Sequence, residues 1–429
     1  MQIHIVKRGE TLYSIARQYG VSPQRLAADN GMALNGGQGL VVGQALIILH
    51  PAEIYTAQPG DTLLSIAQRH GISVMELLQN NPYLSIEGGV SPGQSVVIRF
   101  EGGKSRLVTL GGYAYPYIQR EVLERALPFM TGLTIFGHGF TEEGDLITVD
   151  DQGLINAAYR YQAAPIFLLS SITEDGTFSS ARASLLFNSN GLQSRVIDSM
   201  IAVMTRKGYL GVDIDFEFIE SKDAEGYLGF LRNVAARMHE HGFTVNVDLA
   251  PKTSADQPGL LYEAHDYAAI GAIADTVFLM TYEWGYTYGP PMAVAPIDKV
   301  RQVAQYAVTE IPTGKILLGL PNYGYDWPLP YEKGVTQATS IGNQYAVSLA
   351  ARHGAEILFD ETAQSPMFRY VSGAGVEHEV WFEDVRSIKA KLDLIDELSL
   401  LGGAYWNLMR PFAQNWALAG SRYGIRKSL

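Results

Sequence analysis

From about residue 105 onward, short apolar runs alternate with stretches of helical periodicity. The runs at 106–113, 133–137, 166–170, 211–218, 244–249, 276–282, 316–321 and 403–408 predict eight strands. Helical patterns at 120–127, 152–162, 191–207, 224–241, 260–273 and 297–309 separate most of them. Eight strands alternating with helices fit a (β/α)8 TIM barrel, an α/β fold. The span from 105 to 429 exceeds the roughly 250 residues typical of one such barrel. The excess falls between the seventh and eighth strands. There, residues from about 328 to 383 hold a helical pattern at 340–352 and strand-like pieces at 368–371 and 379–382, which predicts a small α+β insertion.

The first hundred residues hold a repeat. Gly9-Glu10-Thr11-Leu12-Tyr13-Ser14-Ile15-Ala16 returns as Gly60-Asp61-Thr62-Leu63-Leu64-Ser65-Ile66-Ala67, Asn30 returns as Asn81, and Gly43-Gln44 as Gly93-Gln94. Each copy predicts strand, helix, helix, strand. The first helix of each stops at a glycine, Gly20 or Gly71. The second starts at Ser22 or Ser73, and Ser73 with Glu76 has capping-box spacing. The closing strands fall at 45–49 and 95–99, giving modules at 1–50 and 51–100. This repeat resembles tandem LysM modules, a family that binds N-acetylglucosamine-containing glycans such as peptidoglycan and chitin. The resemblance implies a groove between the first strand–helix loop and the loop after the second helix. Gly9, Glu10, Thr11 and Asn30 would then lie near the sugar in one copy, and Gly60, Asp61, Thr62 and Asn81 in the other. A local reading stands beside it: the threonines cap helices and the asparagines end them. Glu101-Gly102-Gly103-Lys104 reads as a short, polar, flexible junction.

The fourth predicted strand is Gly211-Val212-Asp213-Ile214-Asp215-Phe216-Glu217. Alternation puts the three acids on one face, each about 7 Å from the next. A buried strand does not ordinarily crowd like charges, because each raises the cost of ionising its neighbours. Such arrays are more often active sites. In barrels of this kind the chemistry sits at the C-terminal strand ends. The sixth strand ends in Met280-Thr281-Tyr282-Glu283-Trp284, the seventh in Pro321-Asn322-Tyr323-Gly324-Tyr325-Asp326-Trp327, and the eighth carries Tyr405-Trp406-Asn407. Aromatic side chains at such a mouth can stack on sugar rings or serve as half-exposed packing. Trp406 is the better candidate platform. Trp284 and Trp327 fit either role, and Glu283 is a substrate contact or a plain surface acid.

The barrel pattern with this acidic strand resembles the family-18 glycoside hydrolases, whose motif is Asp-x-x-Asp-x-Asp-x-Glu. Met280-Thr281-Tyr282 and Trp406 extend the match. One position departs: the motif's first Asp falls on Leu210. The resemblance implies a retaining, substrate-assisted mechanism through an oxazolinium ion. Glu217 would be the acid and base, Asp215 would accept the acetamido N–H, and Asp213 would share a proton with Asp215. Tyr282 would orient the acetamido oxygen and Trp406 would floor the subsite. Met280, Glu283, Asn322, Tyr323 and Trp327, at the strand ends, are the further candidate substrate contacts.

Composition narrows the setting. The 429 residues are 47% hydrophobic and 18% charged, with no cysteine, so disulfides and thiolate metal sites are excluded. A net charge of −12 with no basic tract argues against a nucleic-acid partner. No apolar run reaches the length of a membrane span. Met1 to Arg8 lack the features of an export signal, so a protein made inside the cell without a signal peptide is expected. His239-Glu240-His241 lacks metal-binding spacing and reads as a solvated helix end, and Gly137-His138-Gly139 reads as a tight turn at the barrel mouth. No metal or cofactor is expected, and a monomer is. Wall-binding modules joined to an N-acetylhexosaminidase-type barrel resemble the spore cortex-lytic N-acetylglucosaminidases of endospore formers. That implies cortex peptidoglycan strands as partner and the spore as location. A chitinase and a non-catalytic carbohydrate-binding barrel are the alternatives.

Overall fold

In the computed structural model, which describes residues 1–33 and 39–429, eight parallel strands close into a barrel. They are Leu107–Ala114, Gly132–Phe140, Ala164–Ser170, Gly211–Asp215, Thr244–Leu249, Thr276–Leu279, Ile316–Pro321 and Gly402–Trp406, and the first pairs with both the second and the eighth. Ile316–Pro321 is buried at every position, as a parallel strand covered on both faces should be. The surrounding helices turn an apolar stripe inward. In Ala224–Glu240 that stripe includes Tyr227, Leu231, Val234 and Met238. Helices at Ser180–Phe187, Val385–Glu397 and Ala413–Arg422 add to those read from the sequence. The helix expected over 260–273 is restricted to Tyr267–Ile273, with an irregular segment before it. No helix among the described residues is long and apolar enough to cross a membrane.

The insertion is an antiparallel five-stranded sheet, ordered Thr339–Ile341, Gly324–Pro328, Glu377–Trp381, Ser365–Val371, Leu358–Asp360, with helix Asn343–His353 packed on it. Its sheet starts at Gly324, so Tyr325 and Trp327 belong to the insertion and not to the tip of the seventh barrel strand.

Each N-terminal module pairs two antiparallel strands beside two helices: Gln2–Ile5 with Ala45–Ile48, and Pro51–Thr56 with Ser95–Phe100. Reciprocal capping boxes join Thr11 to Ser14 and Thr62 to Ser65, and Ser73 caps Glu76 in one direction only.

The modules are docked on the barrel, not loosely tethered as the junction's composition suggested. Val41 is buried in the insertion's core with Ile341, Leu349, Ile357 and Phe368. Gln414 Nε2 donates to Asn30 Oδ1 at 2.9 Å and to Ala45 O at 2.7 Å. Gln79 Nε2 donates to Pro128 O at 2.8 Å. Gly43, at φ 84°, passes so close that an added Cβ would lie 1.8 Å from Ile357 O. Packing of this extent outweighs a flexible linker of four residues, 101–104.

Candidate active site

The fourth strand carries the acids and stops before the last of them. Val212 and Ile214 turn outward into the core shared with the helices, and Asp213 and Asp215 face the barrel interior. The strand ends at Asp215, short of the expected 218, and Phe218 takes a left-handed backbone with φ 53°.

Asp213 lies deepest, at 1% exposure. Its carboxylate accepts from Asn246 Nδ2 at 2.6 Å, from the Tyr113 hydroxyl at 2.8 Å and from Thr134 Oγ1 at 3.4 Å. Burial raises its pKa, and its hydrogen bonds to Asn246, Asp248, Tyr113 and Thr134 pull it back. Asp248, on the fifth strand, is buried beside it. Burial first, then the charges of Asp213 and Asp215, hold Asp248 well above the usual carboxylate range. Tyr113 has one hydroxyl hydrogen and lies 2.8 Å from Asp213 Oδ2 and 2.9 Å from Asp248 Oδ1. It can donate to only one, so the other contact needs a carboxyl proton, and Asp248 is the group placed to hold it.

Asp215 comes next toward the mouth. Its Oδ1 is buried and has no hydrogen-bond partner among the described residues. Burial, then the charges of Glu217 and Asp213, raise it well above its ordinary range. Glu217 is half-buried at the mouth, and burial followed by the charge of Glu283 raises it as well. Burial, and then the surrounding acids, hold the Tyr282 hydroxyl protonated and able to donate.

These groups share one cleft of about 250 Å3, lined by Asp215, Glu217, Asp248, Met280, Tyr282 and Trp406, with Tyr262, Glu283 and Trp284 also on its wall. Trp406, half-buried at the end of the eighth strand, stands edge-on to Phe136 and Tyr113, with ring centres 5.3 Å and 5.6 Å away. The cleft can therefore offer a proton, an unpartnered carboxyl oxygen as acceptor, a hydroxyl donor and an aromatic floor.

Seven of the residues singled out from the sequence thus line the cleft, Asp215, Glu217, Met280, Tyr282, Glu283, Trp284 and Trp406, and Asp213 lies deeper on the same strand as Asp215. Three others do not line the cleft. Asn322 is buried and donates from Nδ2 to Asn407 O and Arg410 O, both at 2.9 Å, bracing the loop after the eighth strand. Tyr323 and Tyr325 donate to the carboxylate of Glu283. Trp327 is 0% exposed, its indole N–H bonded to Gly289 O at 2.8 Å. Leu210 sits before the fourth strand, at the end of the barrel opposite the cleft, with its N–H on Pro165 O. His138 lies inside a strand, not in a turn, and contacts Asp151 at 3.3 Å. Among the described residues no group of three His, Asp or Glu side chains is placed to hold a metal.

Tyr113, Asn246 and Asp248 were not picked out from the sequence. Thr244-Val-Asn246-Val-Asp248-Leu249 shows the same polar–apolar alternation as the fourth strand, and Asn246 pairs with Asp213 across the two strands. That alternation was the available signal.

In the modules, Gly9, Thr11, Gly60 and Thr62 are exposed at the tips. Glu10 accepts from Lys7 N at 2.7 Å and Asp61 from Gln58 N at 2.7 Å, each closing its own turn. Asn30 and Asn81 are buried and staple the second helix to the closing strand through Ile47 and Val97, so neither side chain is open to a sugar.

Residues 165–410 match the Glycosyl hydrolases family 18, and residues 4–49 and 55–99 match the LysM domain. The cortical fragment-lytic enzyme of Bacillus anthracis is 38% identical over 434 residues, covering 100% of this chain and 99% of that protein. The enzyme described in the same words from Bacillus subtilis (strain 168) is 37% identical over 436 residues, with the same coverage. The crystal structure of the Bacillus cereus spore cortex-lytic enzyme SleL superposes with a TM-score of 0.84 at 37% identity, covering 100% of this chain and 99% of that one.

Proposed function

The chain belongs to the family-18 glycosyl hydrolases, with two LysM domains ahead of its barrel, and from that premise we propose that it hydrolyses the glycan strands of spore-cortex peptidoglycan. The bonds cut are β-1,4 linkages on the reducing side of N-acetylglucosamine. The observation that carries this reading is the placing of Asp215, Glu217, Tyr282 and Trp406 around one open cleft. The substrate class follows the full-length relatives, whose names tie them to cortical fragments.

The chemistry is substrate-assisted. Trp406 floors the reacting sugar, and the sugar's own acetamido carbonyl attacks the anomeric carbon. Glu217 gives its proton to the leaving oxygen, then takes one from the incoming water. Its raised pKa suits it to the first role. The free Oδ1 of Asp215 accepts the acetamido N–H and balances the positive charge of the oxazolinium ring. Tyr282 donates to the acetamido oxygen and aligns it. Two displacements at one carbon return the starting configuration. The LysM domains hold neighbouring stretches of glycan, and two linked weak sites raise apparent affinity when both engage one strand.

Digestion of purified cortex fragments and of chitin oligomers side by side, read by mass spectrometry, tests the proposal. Release of muropeptides ending in N-acetylglucosamine is expected from cortex, with loss by at least about a thousandfold in Glu217→Gln. Faster cleavage of chitin oligomers points to the chitinase alternative. A Glu217→Gln protein acting at the wild-type rate would falsify the assignment of the acid.

A further inference from the structure

The peptide that carries Glu217 lies beyond the regular strand. The last ladder pairs of the fourth strand join Asp215 to Ser170 and Ile214 to Val247. Past them the sheet no longer holds the chain, and Phe218 turns into the left-handed region. Two side chains take over. Ser180 Oγ donates to Phe218 O at 2.9 Å. His265 Nε2 lies 3.2 Å from Phe216 O.

His265 is 1% exposed and lies just before helix Tyr267–Ile273. Its other ring nitrogen, Nδ1, is 2.9 Å from the backbone N–H of Ala250. A backbone N–H can only donate, so Nδ1 carries no hydrogen and Nε2 does. The ring is therefore neutral, with Nε2–H donating to Phe216 O. Burial, which pushes its pKa down to about 4, agrees with that state. Ala250 follows directly on Leu249, so the imidazole ties together the ends of the two strands that carry the acids. The ring is itself fixed: Lys252 Nζ donates to His265 O at 3.1 Å, and the Tyr267 hydroxyl donates to Ala250 O at 2.5 Å.

We propose that His265 is a positioning residue for Glu217, its Nε2–H fixing the Phe216–Glu217 peptide and so the direction in which the acid enters the cleft. The carbonyl it holds lies in the same rigid plane as the Glu217 nitrogen. Without that bond the plane can swing about its flanking single bonds. Misplacing a reacting group by about 1 Å can cost about a hundredfold in rate.

The inference rests on the reading of Glu217 as general acid. Two near-isosteric changes separate the ring's two bonds. His265→Asn places an amide oxygen near Nδ1, keeping the acceptor for Ala250 but removing the donor to Phe216. His265→Gln places an amide nitrogen near Nε2 and keeps that donor. On purified cortex fragments, kcat of the Asn variant is expected to fall by at least about tenfold with KM within about twofold, and kcat of the Gln variant to stay within about threefold. The Tm of each variant separates lost positioning from lost folding. Equal kcat in the two variants, or a loss confined to KM, overturns the proposal. A crystal structure of His265→Asn in which the Phe216–Glu217 peptide keeps its orientation overturns it too, whatever the substrate. Failure of the wild-type protein to cleave the fragments counts instead against the functional reading.

Discussion

Asp213 and Asp248 stand on neighbouring strands and meet at one hydroxyl, that of Tyr113, 2.8 Å from the first and 2.9 Å from the second. With a single hydrogen on that hydroxyl, one carboxyl must hold a proton, and Asp248 is the one raised well above its ordinary pKa. The array is therefore less charged than four acids would suggest, which is what lets it lie buried.

Asp248→Asn keeps a donor and removes only the ability to ionise, so kcat is expected within about threefold of wild type, with Asp248→Ala at least about tenfold lower. Stability carries the same signature. An acid whose pKa is raised on folding binds its proton more tightly in the native state. Its contribution is most favourable below its ordinary value of 3.8 and is lost as pH rises through the raised native value. The Asn variant, lacking that loss, should gain Tm relative to wild type as pH rises. A Tm difference that does not change with pH contradicts the assignment.

Glu283 is held by Tyr323 and Tyr325, and its charge helps to raise the pKa of Glu217. Glu283→Gln removes that charge, so the pKa of Glu217 falls. In the proposed mechanism Glu217 must be protonated in the first step, so the high-pH limb of kcat/KM is expected to move to lower pH. A limb that stays in place, or moves upward, shows that Glu283 does not act on Glu217 in this way.

Trp406 and Trp327 separate recognition from packing. Trp406→Ala is expected to lower kcat/KM by about a hundredfold through loss of the sugar platform, with a smaller loss of Tm than Trp327→Ala because Trp406 is only half-buried. Trp327→Ala empties a fully buried site and leaves Gly289 O unpaired, so about 3–5 kcal/mol of stability is expected to go, with a smaller effect on kcat/KM than Trp406→Ala because Trp327 does not line the cleft. Unfolding curves and kinetics on both variants decide the matter.

Val41 makes the first module part of the insertion's core. Val41→Asp buries an unpaired charge there and is expected to cost about 3 kcal/mol of stability, seen as a lowered Tm of the whole chain. A module that merely hangs from a linker would tolerate the change without any effect on the barrel.

How far the sequence could be read depends on how local the cause is. The acidic row was legible because alternation on one strand puts Asp213 and Asp215 on the same side, and Trp406 because it falls within a strand at the barrel's mouth. Trp327 was not, because its place depends on a sheet formed with residues some fifty positions later, where it pairs with Glu379. Asn30 and Asn81 look like loop-end polar residues. Their hydrogen bonds to Ile47 and Val97 close across the module and leave nothing for a sugar. Asp248 carried an alternation signal of its own, but its significance comes from Asp213 on the adjacent strand. The docking of the modules was hidden for a different reason: two glycines at the junction speak for the linker alone, and Val41 decides the contact.

The most direct test asks whether the sugar's amide is the nucleophile. Cortex fragments carrying N-acetylglucosamine at the cleavage site are compared with the same fragments de-N-acetylated there, and kcat/KM is measured for each. A loss of at least about a thousandfold is expected without the acetyl group, because the proposed mechanism uses the acetamido carbonyl as the nucleophile. Cleavage of both substrates at similar rates would contradict substrate assistance and require a protein carboxylate in that role.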